Sequence, residues 1–214
     1  STAHLGGTIT VAGTSITNIE WLGYLEATEH DDVVIAGAAT PPGTPADYVY
    51  GLYGTIHGLG GNDQLTTGSF ARNLYGDEGN DILTGRDDDD TLVGGTGSDT
   101  ISGGNGNDQI SSGETFENPV TYHPMYGFPA VPPTFNLGTD VDTLNGGAGD
   151  DTIMVGYGDN ADGGTNGADH GDRLIISLQG AISGVTVVFS QAPLTIGGGT
   201  ITGFEQIDWV EGSE

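Results

Sequence analysis

Two consecutive nonapeptides decide the fold of this chain: GGTGSDTIS, from Gly94 to Ser102, and GGNGNDQIS, from Gly103 to Ser111. Each unit has glycine at positions one, two and four, aspartate at position six and isoleucine at position eight. Because glycine tolerates positive φ angles, the first six residues predict a tight turn whose backbone carbonyls can converge. The last three residues predict a short strand that points one aliphatic side chain inward. Two units make one coil, and stacked coils predict two short parallel sheets joined by right-handed connections.

The nine-residue period extends well beyond these two units. Looser copies are GLGGNDQLT from Gly58, GDEGNDILT from Gly76 and GRDDDDTLV from Gly85. In most copies an aspartate lies two residues before the aliphatic position, and Arg72 takes that place once. The aliphatic series, which we expect to form the core, is Ile56, Leu65, Leu74, Leu83, Leu92, Ile101 and Ile110.

A second, shorter array repeats the pattern after an interruption. Its best unit is GGAGDDTIM, from Gly146 to Met154. Residues 163–174, GGTNGADHGDRL, have the character of one further unit stretched by an insertion. The residues at the aspartate position of this array are, in order, Asp142, Asp151, Asn160 and either Asp169 or Asp172.

The composition of the chain is strongly acidic. Its 214 residues include 30 Asp or Glu but only three Lys or Arg, which gives a formal charge of −27. Nucleic-acid binding is excluded because it requires a basic patch, and anionic membrane surfaces are disfavoured for the same reason. No apolar run approaches the roughly 18 residues of a membrane-spanning helix, so we expect no membrane insertion. The absence of Cys rules out disulfides and thiolate metal sites.

No catalytic motif accompanies the repeats. The sequence has no H-E-x-x-H, no G-x-S-x-G and no phosphate-binding loop. Acidic pairs such as Asp31 with Asp32 resemble the two carboxylates of a glycosidase, but most such pairs lie in or beside the repeat turns. We therefore expect no enzymatic activity and assign no catalytic residues.

The aspartates predict a metal ion as the cofactor. Stacked coils would align them in columns, where like charges repel one another unless a cation lies between them. Carboxylate and carbonyl oxygens at flexible spacing favour Ca²⁺ over Zn²⁺ or Cu²⁺, and Mg²⁺ fits less well because it demands near-octahedral geometry. We expect about three to six Ca²⁺ ions, which would cancel about six to twelve negative charges by valence.

The units Gly94–Ser102, Gly103–Ser111 and Gly146–Met154 share the pattern G-G-x-G-x-D-x-U-x, where U is a large aliphatic residue. In this they resemble the RTX (repeats-in-toxin, haemolysin-type) calcium-binding family, over about residues 54–111 and 138–174. The resemblance implies an all-β, right-handed parallel β-roll, or β-solenoid, that binds Ca²⁺ between turns stacked on one edge. It also implies type I secretion of a chain that is unfolded in a low-calcium cytoplasm and folds outside the cell.

The metal positions of the family can be transferred to this sequence residue by residue. The implied side-chain ligands are Asp63, Asp81, Asp90, Asp99, Asp108, Asp142, Asp151, Asn160, Asp169 and Asp172. The implied carbonyl ligands are those of Gly58, Gly60, Gly76, Gly94, Thr96, Gly103, Asn105, Gly146 and Ala148.

The pairing of these turns follows if they alternate between two edges of the roll, so that each turn meets the turn 18 residues later. One edge then aligns Asp63, Asp81 and Asp99, and the other aligns Asp90 with Asp108. In the second array, Asp142 would face Asn160, and Asp151 would face Asp169 or Asp172. At the open end of the first array, Arg72 would face Asp90, and we expect its guanidinium to replace a calcium ion there.

The period divides the chain into five parts. We expect flanking strands and a lead-in over 1–50, a first array over 51–111, an insert over 112–139, a second array over 140–174 and capping antiparallel strands over 175–214. The insert holds five prolines and five aromatic residues. It is either an ordered loop that shields the sheet or a recognition loop for a glycan or protein partner.

A longer internal repeat links the two ends of the chain. The segment Ile9–Glu29 matches Leu194–Glu214 at a shift of 185 residues, with identities that include Thr10 with Thr195 and Glu20 with Glu205. We interpret this as one period of a tandem-module protein, cut at a module boundary. The alternative is chance similarity between two Thr-rich strands.

Three functions are compatible with the sequence. The first, favoured by the long repeat, is a calcium-dependent module of a large, secreted, adhesin-like bacterial surface protein, in contact with neighbouring modules. The second is an accessory module that assists the folding and export of a secreted enzyme. The third is a carbohydrate-binding module, for which the negative charge is unfavourable with a polyuronate unless Ca²⁺ bridges the two.

Overall fold

The structure, a computed structural model, describes residues 7–11, 14–19, 24–36, 54–67, 71–113, 140–167, 170–178, 181 and 193–211. These residues form strands and turns without a helix, and none of them belongs to a helix that could cross a membrane. Most of the predicted insert, residues 114–139, lies outside the described part. The strands are β1 (Gly7–Val11), β2 (Thr14–Ile19), β3 (Tyr24–Glu26), β4 (Val33–Ala36), β5 (Gly54–His57), β6 (Gln64–Thr66), β7 (Ala71–Glu78), β8 (Ile82–Thr84), β9 (Thr91–Thr96), β10 (Thr100–Asn105), β11 (Gln109–Ser111), β12 (Thr143–Gly149), β13 (Thr152–Val155), β14 (Asn160–Asn166), β15 (Arg173–Ser177), β16 (Leu194–Ile196), β17 (Gly199–Thr202) and β18 (Gln206–Glu211).

Successive strands of the repeats alternate between two sheets. Sheet A has the order β16-β17-β14-β12-β10-β8-β6-β4-β1-β2, and sheet B has the order β18-β15-β13-β11-β9-β7-β5-β3. Within the repeats each strand pairs in parallel with the strand one coil away, as Leu65 does with Leu83. The predicted all-β parallel roll is therefore confirmed, and its right-handed sense stays a prediction.

The insert interrupts the sequence spacing but not the sheet. Ile101 of β10 pairs in parallel with Leu144 of β12, although the two residues are 43 positions apart instead of 18. The additional residues lie in the sequence between β11 and β12. The second array thus continues the stacking of the first.

The core is a double row of aliphatic side chains between the two sheets. Ten of the repeat strands contribute an inward aliphatic residue that is at most 1% exposed, in the series Ile56, Leu65, Leu74, Leu83, Leu92, Ile101, Ile110, Leu144, Ile153 and Leu174. A smaller cluster, Met154 with Ile175, is also fully buried, although both residues follow an inward neighbour and so point to the outer face of sheet B.

Leu83→Ala is expected to lower the free energy of unfolding of the calcium-loaded protein by about 2–5 kcal/mol, because it leaves a cavity in a fully buried row. The matched control is Ile82→Ala in the same strand, where the side chain is 47% exposed, and it should cost less than about 1 kcal/mol. Urea unfolding at saturating Ca²⁺ measures both. Equal losses in the two variants would contradict the inward assignment of Leu83.

Antiparallel strands close both ends of the roll, as expected. At the N-terminal end, β1 pairs antiparallel with both β2 and β4. At the C-terminal end, β16 pairs antiparallel with β17, which in turn lies parallel to β14. These strands cover coil ends that would otherwise expose apolar side chains.

Candidate metal sites

Aspartates at the turns of one edge form a continuous hydrogen-bonded series, the first ladder, made of Asp32, Asp63, Asp81, Asp99, Asp142 and Asp159. In each step the backbone N–H of one aspartate donates to Oδ1 of the next. The N–H of Asp63, for example, lies 2.7 Å from Oδ1 of Asp81, and the N–H of Asp81 lies 2.8 Å from Oδ1 of Asp99. One carboxylate oxygen of each aspartate is thus committed to holding two coils together.

The opposite edge carries an equivalent series, the second ladder, made of Asp90, Asp108, Asp151 and Asp172. Its N–H to Oδ1 distances are 2.8–2.9 Å. The last step reaches the C-terminal strands, where the N–H of Asp172 donates to Oε2 of Glu205 at 2.9 Å. The structure therefore aligns Asp172 with Asp151, whereas Asp169 lies outside the described residues.

The ladder aspartates differ in whether their second carboxylate oxygen, Oδ2, accepts a hydrogen bond. In six of them it is buried and accepts no hydrogen bond: Asp63, Asp81, Asp99, Asp108, Asp151 and Asp172. Burying an ionised oxygen without a partner is energetically costly. Each of these oxygens therefore needs a cation or a proton that the polypeptide does not supply.

Backbone carbonyl oxygens lie beside the same glycines as these carboxylate oxygens. A methyl carbon built on Gly58 would lie 2.2 Å from Oδ2 of Asp63 and 2.6 Å from the carbonyl oxygen of Gly76. The corresponding carbon on Gly76 would lie 2.3 Å from Oδ2 of Asp81 and 2.4 Å from the carbonyl oxygen of Gly94. Each of these glycines thus lies beside both a carboxylate oxygen and a carbonyl oxygen of the next coil, and a side chain there would overlap them.

The second ladder repeats this arrangement. A methyl carbon on Gly103 would lie 2.2 Å from Oδ2 of Asp108 and 2.5 Å from the carbonyl oxygen of Gly146. In the same way, Gly146 lies beside Asp151 and the carbonyl oxygen of Gly163, and Gly163 lies beside Asp172 and the carbonyl oxygen of Gly203. The carbonyl groups of Gly163 and Gly203 were missed in the sequence, because the stretched unit and the C-terminal strands depart from the nonapeptide pattern.

Three of the four ladder ends are satisfied by the protein itself, Asp172 being the exception. Oδ2 of Asp32 accepts from both the N–H and the hydroxyl of Thr28, at 2.7 Å each. Oδ2 of Asp159 accepts from the N–H of Gly156 at 2.6 Å. Oδ2 of Asp90 accepts from the hydroxyl of Thr67 and the N–H of Arg86, at 3.3 Å each. The predicted contact of Arg72 with Asp90 falls on a side chain outside the described part of the structure.

The predicted partner of Asp142 is wrong by one residue. The N–H of Asp142 donates to Oδ1 of Asp159, at 3.1 Å, and not to Asn160. Asn160 instead begins β14, pairs with Thr143 and accepts the N–H of Thr200 through its own Oδ1, at 3.1 Å. The turn before β14 is one residue shorter than the nine-residue period requires, which moves Asp159 into the ladder.

Several of the expected carbonyl ligands have other contacts. The carbonyl oxygen of Thr96 accepts the N–H of Gly79, and that of Ala148 accepts the N–H of Gly106, both at 2.8 Å. Asn105 bonds to Asp87 through its side-chain amide. A methyl carbon on Gly60 would lie 3.0 Å from a carboxylate oxygen of Glu29. The carbonyl groups of Gly76, Gly94, Gly103 and Gly146 do face the neighbouring turns.

A further series of hydrogen bonds, the outer ladder, uses the residue before each aspartate and runs in the opposite direction. The N–H of Asn80 donates to Oδ1 of Asn62 at 2.8 Å, and the N–H of Ser98 donates to Oδ1 of Asn80 at 2.7 Å. On the other edge, the N–H of Asn107 donates to Oδ1 of Asp89 at 2.8 Å. These exposed side chains fix the coil spacing without a metal, which explains their short polar character.

Burial raises the pKa of the ladder carboxyls that lack a partner. The pKa rises from 3.8 to about 6 for Asp63, Asp81, Asp99 and Asp108, and to about 7 for Asp151. Desolvation is the main cause, neighbouring carboxylates add to it, and the backbone hydrogen bond to Oδ1 opposes it. The pKa of Asp172 shifts in the same direction.

These shifts fix the sign of the pH dependence of the metal-free protein. A folded-state pKa above the unfolded value favours the protonated fold, so the stabilisation is complete below about pH 4 and is lost as the pH rises through about 6–7. Metal-free protein should therefore gain β-structure on acidification from pH 7.5, with the gain in stability between about pH 7 and pH 4, measured by circular dichroism. Stability that does not change between pH 7 and pH 4 would contradict the burial argument.

A conventional side-chain metal site is not part of this arrangement. Among the residues that the structure describes, no group of three or more His, Asp or Glu side chains could hold an ion.

Comparison with protein families agrees with this geometry. A family model of the RTX calcium-binding nonapeptide repeat, in four copies, matches residues 55–72, 84–114 and 136–170. A search of curated proteins gives no match. The matched family is a structural calcium-binding repeat and carries no catalytic role. These segments contain seven of the ten ladder aspartates and match the RTX calcium-binding nonapeptide repeat.

Proposed function

We propose that this chain is a calcium-binding β-roll module of a larger, secreted, adhesin-like bacterial surface protein, exported by a type I route and folded by Ca²⁺ outside the cell. One observation carries the calcium-dependent part of the proposal: six buried carboxylate oxygens have no hydrogen-bond partner. They lie along the two ladders, five of them beside a carbonyl oxygen of the following coil. The family match supports the choice of Ca²⁺.

The six oxygens would provide six calcium positions, three on each edge. On the first ladder the ions would bind Asp63 with Gly76, Asp81 with Gly94, and Asp99. On the second ladder they would bind Asp108 with Gly146, Asp151 with Gly163, and Asp172 with Gly203. When bound, Ca²⁺ neutralises the carboxylates and ties each coil to the next.

Folding and calcium binding are then one equilibrium. The metal-free fold must bury six charged oxygens of like sign, whereas the unfolded chain keeps them hydrated. An ion that binds only the folded state stabilises it in proportion to the logarithm of its concentration. The chain should therefore stay unfolded where free calcium is scarce and fold where calcium is abundant.

A calcium titration of chelator-treated protein tests this function. Far-ultraviolet circular dichroism should show β-structure appearing with Ca²⁺, and calorimetry should count about six ions per chain. Mg²⁺ at the same concentration should have little effect, because it keeps its own waters. A metal-free protein that is fully folded at pH 7.5 and indifferent to Ca²⁺ would sink the proposal.

A second candidate, a carbohydrate-binding or accessory module of a secreted enzyme, is favoured by one surface feature. A cavity of about 470 Å³ lies at the end of β5 and β7, lined by His57, Leu59 and the acids Glu29, Asp77 and Glu78. The ring of His57 stacks on Tyr75, at a centroid distance of 4.5 Å. Aromatic rings beside polar groups suit a sugar. Calcium-dependent binding on a glycan array would support this candidate.

A further inference from the structure

The two ends of the roll carry the same β-hairpin. In the N-terminal hairpin, β1 pairs with β2, and in the C-terminal hairpin, β16 pairs with β17. Adding 185 to the residue numbers of three backbone pairs in the N-terminal hairpin gives the three pairs of the C-terminal hairpin. The pairs Ile9↔Ile16, Thr10↔Ser15 and Val11↔Thr14 correspond to Leu194↔Ile201, Thr195↔Thr200 and Ile196↔Gly199. The sequence repeat is therefore a repeat of backbone structure, which chance similarity between two Thr-rich strands does not explain.

The two hairpins differ in which of their strands has an outside partner. In the N-terminal hairpin the first strand, β1, pairs with β4 of the following coils, while β2 ends the sheet. In the C-terminal hairpin the second strand, β17, pairs with β14 of the preceding coils, while β16 ends the sheet. Among the described strands, the hairpin strand that lies at the sheet edge in one copy is therefore the strand that has an outside partner in the other copy.

Sheet B shows the same complementarity. The shift of 185 carries β3 onto residues 209–211, which are the second half of β18. The N-terminal copy, β3, pairs only with the following strand β5, and the C-terminal copy, β18, pairs only with the preceding strand β15. Both pairings are parallel, so the two halves are compatible within one sheet.

We infer that one hairpin segment of this type joins two successive modules and belongs to both of their rolls. In sheet A the order at the joint is β14, β17, β16 and then a strand equivalent to β4 of the next module. In sheet B it is β15, β18 and then a strand equivalent to β5. The partner of the C-terminal hairpin is thus the first coil of a second module of the same kind, and both sheets run through the joint without an edge.

On the edge of the first ladder the joint is built without calcium, whereas on the other edge the proposed ion at Asp172 would lie beside Gly203 of the joint. The ladder aspartate that precedes the hairpin, Asp159, has its Oδ2 satisfied by Gly156, and the one that follows it, Asp32, has its Oδ2 satisfied by Thr28. Thr28 corresponds to Ser213 at the shift of 185, so a hydroxyl is available in the second copy as well. The shared joint is inferred from backbone pairing, so it does not rest on the proposed calcium function.

A fusion chain tests the shared joint. Residues 1–214 are followed directly by residues 30–214 of a second copy, so that Glu214 takes the place of the equivalent Glu29. The control joins two complete copies through a flexible Gly/Ser linker. Hydrogen exchange at saturating Ca²⁺ compares the central β16 in both chains, and small-angle X-ray scattering measures their lengths.

We expect the backbone amides of the central β16 to exchange at least about tenfold more slowly in the fusion chain than in the control, because they gain a strand partner. The fusion chain should scatter as one straight rod, and the control as two rods at variable angles. Unchanged exchange at β16 would overturn the inference. So would a fusion chain whose second half fails to fold while the control folds, since one hairpin would then be unable to serve two rolls.

Discussion

Asp81→Asn is expected to weaken calcium-dependent folding and, in chelator, to favour the metal-free fold. The amide keeps Oδ1 as the acceptor for the N–H of the preceding ladder member, Asp63. It replaces the unpartnered Oδ2 with a neutral donor that cannot bind a cation. Removing even an indirect contact to a metal costs 10–100-fold in affinity, so the calcium midpoint should rise at least about tenfold and one ion should be lost.

In chelator at pH 7.5 the same variant should retain more β-structure than the wild type, because a buried charge has been removed. Circular dichroism with and without Ca²⁺ measures both effects. Asp89→Asn is the matched control, since Asp89 is exposed and its Oδ1 accepts from Asn107 in the outer ladder, a role that Asn62 and Asn80 fill elsewhere. It should change stability by less than about 0.5 kcal/mol. Equal behaviour of the two variants would refute the division into metal and structural ladders.

Gly97→Ala is expected to cost more than about 4 kcal/mol of folding free energy at saturating Ca²⁺, which is exceptional for one methyl group. Gly97 has a φ of +119°, and a methyl carbon there would lie 1.8 Å from the carbonyl oxygen of Gly79 in the preceding coil. Relieving that overlap would push two coils apart and disturb the spacing of both ladders.

The control for this variant separates steric overlap from backbone strain. Gly198 also has positive φ, +99°, but a methyl carbon there would meet no atom within 4 Å. Gly198→Ala should therefore cost only the conformational strain, about 1–3 kcal/mol. Urea unfolding of both variants gives the comparison, and similar costs would show that contact between coils contributes little.

The sequence predicts the roll well because one short period encodes two requirements at once. Each nonapeptide places an aliphatic residue such as Leu83 in the core and an aspartate such as Asp81 in a turn, and stacking then aligns both at 18-residue intervals. Even after the insert, Asp142 joins the ladder, because the turn and strand around it keep the same length.

Prediction fails where the local pattern changes length or loses its glycines. Asp32 has no glycine motif before it, yet tertiary contact with Asp63 brings it into the first ladder. Asp159 enters one residue early, at the expense of Asn160. Which oxygens lack a partner depends on donors such as Thr28 and Gly156, and their positions follow from the folded turns instead of from the period.

At five of the six unpartnered carboxylates, a carbonyl oxygen of the later coil lies beside the same glycine as the carboxylate. Asp63 is thus paired with Gly76, Asp81 with Gly94, and the final aspartate, Asp172, with Gly203 in the C-terminal strands. None of these oxygen pairs can be formed by one coil alone. Removing a single coil would therefore also break the oxygen pair of the coil before it.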